Sequence, residues 1–360
     1  MSLRVGIVGA GLWTERAHLP AFTHQPGVEI LGVADPDVER ARRLAGRFRV
    51  PRAVADHRTL LDLGLDALAI VAPDDVHHQV AAAALDRGVA ILCEKPLGRT
   101  VEETRDLVSQ AERARVATKI GFVFRYSPAL RHLRALVREG YVGRVHSLVV
   151  YSQNSQFMDP AAPFHWKMDP ERTGGGVFVE YGSHSLDLAR WIAGEIQEVC
   201  ANARTVVPER REAGGQPRRI HVDDICSWLA TQEHGVESMF HASWASLGQP
   251  WGDLAVFGDR GALVWRRRDD TWPFAELYGA TAAAPTLSPV ALPVQATAGL
   301  EWATTWRECF MGSLVRAFVA EVRGAPTEGP TFADGHRAQL GLWALATSLA
   351  ERRWVPVPAN

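Results

Sequence analysis

Cysteine is scarce: four in 360 residues, Cys93, Cys200, Cys226 and Cys309, far apart and with no CxxC pair. That excludes a zinc knuckle, a dithiol centre and a disulfide framework, so no metal is expected and a reducing cytoplasm fits best. Long apolar runs are also missing. None approaches the roughly 20 residues that span a bilayer, and no membrane partner is expected. Neither charge sign is in excess, since 39 Lys and Arg face 41 Asp and Glu for a formal charge of −2. There is no global attraction to nucleic acid or anionic lipid. With 47% hydrophobic and 22% charged residues the composition is that of a folded globular protein, and the length suggests two domains or three small ones. The glycine-punctuated stretch 5–12 has no small-residue cleavage site after it and reads as a first strand rather than a signal-peptide core.

From residue 3 to about 121 short β-branched apolar runs alternate with longer amphipathic segments, the rhythm of βα units around a parallel sheet. Strands are expected at 3–8, 28–34, 66–72, 89–93 and 117–122, and helices at 36–48, 75–87 and 100–115. Beyond 122 the pattern changes to alternating runs, Val145–Gln153, Ile225–Thr231, Ser238–Trp244, Leu254–Phe257 and Leu263–Trp265, which read as half-buried antiparallel strands. Two segments, Pro208–Arg219 and Ala280–Gly299, read as surface loops. Helical patterns close the chain at about 304–323 and 333–352, the second opened by Asp334. The expected division is a dinucleotide-binding domain over 1–122 and an α+β domain for substrate binding and oligomerisation over 123–360.

Gly9-Ala10-Gly11 directly follows the first strand and precedes a helical stretch. The first glycine permits a tight turn, the second lets a pyrophosphate approach the backbone, and the helix N-terminus supplies N–H donors. The third fingerprint position is Thr14, expected to loosen helix–strand packing. The second strand ends in Asp35, 24 residues after Gly11, where a ribose-binding acid belongs. Its carboxylate would accept ribose hydroxyls and repel a 2′-phosphate, and Pro36 follows with no Arg to receive one. NAD is therefore favoured over NADP. Asp35 can equally cap the helix at 36–48, and both roles can coexist.

Glu94-Lys95-Pro96 closes an apolar strand, at the edge where open α/β sheets bind ligands. A lysine there can stabilise developing alkoxide charge, although the pair can also be a solvated strand end. Gly9-Ala10-Gly11, Asp35, Ala72-Pro73 with His77, and Glu94-Lys95-Pro96-Leu97-Gly98 fall in an order and spacing that resembles the Gfo/Idh/MocA oxidoreductases. The segment from Gly174-Gly175-Gly176 through Glu180 and His184 to Asp187 resembles that family's second landmark, with Glu180 where relatives commonly carry Asp. Gly182-Ser183 precedes a helical run, so His184 is expected in a first turn, where imidazolium is disfavoured and the ring stays available as a base. Asp187 is read as a dipole-matching residue of the same turn.

The resemblance implies an α/β N-terminal Rossmann domain, a doubly wound parallel sheet, followed by an α+β C-terminal domain with a large, mostly antiparallel open sheet. It implies Lys95, His184 and Glu180 as catalytic residues. Cofactor binding falls to Gly9, Gly11, Leu12, Trp13, Asp35, Ala72, Pro73, His77, Glu94 and Lys95, and substrate binding to Arg125, Tyr126, Trp166 and Lys167. The implied activity is an NAD-dependent dehydrogenase oxidising a secondary alcohol of a sugar, polyol or related small molecule, or the reverse reduction. A redox-neutral NAD-using glycosidase or lyase, an imine or enone reductase, and a non-catalytic NAD-binding sensor are the alternatives. Relatives commonly pair their sheets between subunits, so a homodimer or homotetramer through the C-terminal sheet is implied.

Overall fold

The computed structural model describes residues 2–212, 214–248, 250–267, 275–293 and 297–359. They form two compact units, Met1–Tyr126 with Gly299–His336, and Ser127–Ala298 with Arg337–Asn360. Residues 299–336 thus go with the N-terminal unit, a return that composition along the chain does not reveal.

In the first unit the apolar runs form β1 (Leu3–Val8), β2 (Val28–Ala34), β3 (Ala53–Val54), β4 (Ala67–Ile70), β5 (Ala90–Cys93) and β6 (Thr118–Ile120). All pair in parallel in the order β3-β2-β1-β4-β5-β6, the doubly wound order of dinucleotide-binding sheets. Val5, Ile7, Leu68, Ile70, Ile91 and Leu92 are wholly buried, as expected of a parallel sheet covered on both faces. The helices between them are α1 (Leu19–Thr23), α2 (Val38–Phe48), α3 (His57–Leu61), α4 (His77–Leu85) and α5 (Val101–Ala114). Their ends follow local chemistry. At α5 the Thr100 hydroxyl accepts the Glu103 N–H, and Arg115 leaves in the left-handed region at φ 54°. β3, with two residues, and α3, with five, are too short to show a period.

The second unit contains α6 (Pro128–Arg138), β7 (Val145–Gln153), α7 (Pro170–Thr173), α8 (Val177–Glu180), α9 (Gly182–Ala193), β8 (Ile196–Arg204), β9 (Glu209–Arg211), β10 (Pro217–Arg219), β11 (Ile225–Gln232), β12 (Val236–Ser243), β13 (Trp251–Gly258), β14 (Gly261–Arg267), β15 (Glu276–Thr281) and β16 (Ala284–Pro289). After α10 (Trp306–Val322), which belongs to the first unit, and α11 (Phe332–Glu351), the strand β17 (Val355–Pro356) completes a nine-stranded sheet. Its order is β16-β15-β14-β13-β7-β12-β11-β8-β17, antiparallel except where β12 lies parallel to β7. β11 shows why: Cys226, Trp228, Ala230 and Gln232 are buried while Ser227 and Leu229 face outward, and Trp228 stacks on Phe240 of β12 at 4.8 Å.

The two expected loops are corrected here. Pro208–Arg219 holds the hairpin β9–β10, and Ala280–Gly299 holds the end of β15 and all of β16. Charge in the first, and Ala, Pro and Thr in the second, mask the strand alternation. Residue 213 of the first stretch and 294–296 of the second lie outside the described residues. Among the described residues no helix is long and apolar enough to cross a membrane.

In the first unit α10 starts with a reciprocal cap between Thr305 and Glu308 and packs on α1 and on the turn that precedes it. The first five residues of α11 belong to that unit and the rest to the second.

Candidate active site

The chain leaves β1 through Gly9, whose φ of +100° favours glycine and whose missing Cβ would lie 2.7 Å from the Val71 carbonyl carbon. Gly11 is different: a Cβ there would meet nothing within 4 Å. The space beside it is open, and Leu12 next to it is largely exposed. Thr14 does not loosen the packing. It is fully buried and its hydroxyl donates to the Gly9 carbonyl at 2.7 Å, tying the helix start to the turn. From Thr14 to His18 the helix is wide, the Leu19 N–H reaching back to the Thr14 carbonyl, before it continues as α1.

Asp35 follows β2 and is buried. Its Oδ2 accepts the Ala10 N–H at 2.8 Å, and its Oδ1 accepts the Asp37 N–H at 2.9 Å and Arg40 Nη2 at 2.6 Å. The helix cap is Asp37, which accepts the Arg40 N–H at 3.0 Å and leaves Asp35 facing the Gly-rich turn. The absence of a nearby arginine inferred from Pro36 is also corrected, because the first turn of α2 brings Arg40 back to the acid.

Glu94 and Lys95 follow β5. Glu94 is buried, with Oε1 accepting from Trp13 Nε1 at 2.7 Å and bonded to His18 Nε2 at 2.8 Å. Gly121 makes room for it, since a Cβ there would lie 2.6 Å from Glu94 Oε2. Burial alone would raise this carboxyl; the His18 and Trp13 bonds and the Lys95 charge outweigh it and hold it below the usual range. Lys95, half-buried, donates its backbone N–H to Glu94 Oε2 at 3.3 Å. His77 is wholly buried between the carbonyls of Pro96 at 2.7 Å and Ala72 at 2.9 Å, so it clasps the loops after β4 and β5. Burial pushes its imidazole down. Ala72 and Pro73 are half-buried at the end of β4.

Arg125 and Tyr126 do not lie open to a ligand as expected. Arg125 is 7% exposed and donates Nη2–H to Asp334 at 2.8 Å, and Tyr126 is 2% exposed with its ring against Gly329. Both lie in a short turn, Val123–Tyr126, against α10.

In the second unit each glycine of the triplet has its own reason. Gly174 stops α7 at φ 75°, Gly175 lies against the Phe178 ring, and a Cβ on Gly176 would stand 2.6 Å from Asp223 Oδ1 and 2.7 Å from its backbone nitrogen. The Asp223 carboxylate caps α8 by accepting the N–H groups of Gly176 at 2.9 Å and Phe178 at 3.0 Å. Burial still pushes that carboxyl up to about 6. Glu180 ends α8 and accepts from Lys167 Nζ at 2.6 Å, which brings two expected site residues together. Lys167 Nζ and the Arg172 guanidinium lie 5.8 and 5.7 Å from the centre of the Trp166 ring. His184 is the third residue of α9, in its first turn and half-buried. Because α9 starts at Gly182, Asp187 falls in the second turn, 1% exposed, rather than at the dipole-matched end.

His18, Arg40 and Asp223 are not among the expected site residues. The four-residue spacing of Thr14 and His18, one helical face, is the signal available for His18. Arg40 carries the same kind of signal in the first turn after Asp37.

The open approach beside Gly11, the helix that starts at Thr14 and the Asp35 carboxylate against Ala10 fit a dinucleotide's pyrophosphate and adenosine ribose. A family model described as an oxidoreductase family with an NAD-binding Rossmann fold matches residues 3–122, and one described as the GFO/IDH/MocA C-terminal domain matches 130–264. The chain is similar to levoglucosan dehydrogenase of Pseudarthrobacter phenanthrenivorans, 25% identical across 99% of this chain and 98% of that one. It is 31% identical to the uncharacterized oxidoreductase YrbE of Bacillus subtilis across 72% of each. Among solved structures, levoglucosan dehydrogenase in complex with NADH and levoglucosan superposes with a TM-score of 0.90 at 26% identity, covering 99% of this chain and 100% of that one. With the doubly wound sheet, the dinucleotide seat and both family models in agreement, the chain belongs to the Gfo/Idh/MocA family of oxidoreductases with an NAD-binding Rossmann fold.

Proposed function

We propose that the protein oxidises a secondary alcohol of a sugar, polyol or related small molecule, or runs the reverse reduction, with Lys95 and His184 handling the hydroxyl proton. The observation that carries this reading is the position of Lys95. It follows β5 at the carboxyl edge of the same parallel sheet whose β1 and β2 ends carry Gly9, Gly11 and Asp35, the edge at which open sheets bind ligands. A relative named and solved as a levoglucosan dehydrogenase supports a sugar-like substrate.

NAD supplies the hydride acceptor when bound. Lys95 donates a hydrogen bond to the substrate oxygen and stabilises its developing negative charge. His184 takes the hydroxyl proton as general base. Glu180, held by Lys167, accepts from a neighbouring hydroxyl and fixes the substrate's orientation, and Trp166 offers an aromatic face to the ring. His77 positions the loops that carry Ala72 and Lys95. Arg125 and Tyr126 brace the first unit.

A panel of sugars and polyols with NAD and NADP, followed by NADH absorbance, tests the reading. At least one secondary alcohol is expected to give stoichiometric NADH. Turnover without net reduction points to the redox-neutral lyase, and tight NADH binding with no turnover across the panel points to the sensor; either result overturns the dehydrogenase.

The same reading covers the sheet's outward face with a second copy. Leu229 and Met239 are 46% and 55% exposed and stand side by side in register, with Val149 next to Met239. Such an apolar row on an open sheet favours self-association. Light scattering is expected to give a dimer or tetramer; a monomer at micromolar concentration refutes this part.

A further inference from the structure

His18 is wholly buried at the end of the wide turn that leads into α1, and its hydrogen bonding is one-sided. Nε2 meets Glu94 Oε1 at 2.8 Å, and because an ionised carboxylate oxygen only accepts, Nε2 carries the hydrogen. Nδ1 is buried, and no group among the described residues bonds to it. His77 is the contrast, a buried histidine that spends both ring nitrogens on carbonyls to clasp two loops. An apolar side chain would fill the position of His18 equally well; what the imidazole adds is the one bond it gives to Glu94.

We propose that His18 is a positioning residue for the reaction, one that acts through Glu94 to set the charge and the direction of the Lys95 ammonium. The proposal rests on the reading of Lys95 as the donor to the substrate oxygen. Glu94 is coupled to Lys95 twice, since Oε2 accepts the Lys95 backbone N–H at 3.3 Å and the carboxylate charge acts on the ammonium. Both couplings need a carboxylate that stays ionised while buried, and burial works against that. Two donors on Oε1, Trp13 Nε1–H and His18 Nε2–H, oppose it. Of the other titratable groups nearby, Cys93 is a wholly buried thiol pushed well above its usual range and His77 an imidazole that burial pushes down, so neither supplies Glu94 with a countercharge. Without His18 the carboxylate shifts toward a protonated or displaced form, and the ammonium loses its anchor.

Trace acetylation of the intact protein with acetic anhydride, read by mass spectrometry, tests this without a known substrate. The chain has three lysines, Lys95, Lys119 and Lys167, so the Lys95 signal is clean and Lys167 in the second unit is the internal reference. His18→Leu is expected to raise Lys95 labelling at about pH 8 by about threefold or more, because an ammonium with a weakened countercharge gives up its proton more readily. His18→Gln, whose amide can donate to the same oxygen, should stay near the parent. On a secondary alcohol that the parent oxidises, His18→Leu should lower kcat by about tenfold, the scale of one hydrogen bond to a charged group, with NADH affinity changed by less than about threefold. If His18→Leu does not fold, Trp13→Phe withdraws the other donor from Oε1 and carries the same expectation for Lys95 labelling. Unchanged Lys95 labelling in the folded variant overturns the proposal and leaves the dehydrogenase reading standing. Raised labelling with unchanged kcat removes Lys95 from the chemistry, and both readings fall together.

Discussion

Lys95→Met is expected to lower kcat by about a thousandfold, the scale of losing one preorganised donor to a developing oxyanion, with NADH still bound and the melting temperature nearly unchanged. The fold should tolerate the change because Glu94 relies on the ammonium only in part. Trp13 Nε1 and His18 Nε2 both meet its Oε1, so Glu94 keeps these two partners when Lys95 is replaced. Met keeps the length of the aliphatic stem. His184→Ala should lose about a hundredfold or more, the range for general-base groups. Near-wild-type turnover in both variants, on a substrate the parent oxidises, removes these two residues from the chemistry.

Gly176→Ala is expected to cost several kcal/mol, enough to lower the melting temperature by roughly ten degrees or to prevent soluble expression. The new methyl would stand against the Asp223 backbone, which cannot swing aside because the Asp223 carbonyl also accepts the Val177 N–H at 3.0 Å. Gly182→Ala is the matched control: its Cβ would lie an ordinary 3.6 Å from Trp228, and little change is expected. Equal melting temperatures for the two variants would falsify the packing account. The same site carries a pH signature. The Asp223 carboxyl is raised from 3.8 to about 6 in the fold, so the unfolded chain gives up this proton first and the contribution to stability declines as pH rises across that interval.

The legible parts of the molecule are those whose cause is local. A period repeated over several turns or strands exposes α2, α5, β7 and β11, and glycine spacing exposes Gly9 and Gly174–Gly176, whose backbone duties are all distinct in the structure. The edge strand β3 lacks the length for a period, and in β16 Ala, Pro and Thr mask the alternation. Side-chain partners far along the chain are hidden for a different reason. Arg125 follows β6 closely, which suggests exposure to a ligand, yet Asp334 claims it from the start of α11, and no local pattern announces a partner so far away. Thr14 shows a third case, a substitution in a known fingerprint whose hydroxyl finds a carbonyl that glycine or alanine would have left to the backbone. Lys95 and His184 are legible through the family resemblance as much as through spacing, because a strand-end lysine and a first-turn histidine are each common.

The wide turn from Thr14 to His18 is fastened at both ends, by Thr14 to the exit of β1 and by His18 to Glu94 after β5. A phosphate-binding loop riveted in this way to two separate strands of the sheet has little freedom left to surrender. Its ligand meets a seat already in shape, so the entropic penalty of capture is small and affinity reflects contacts rather than ordering.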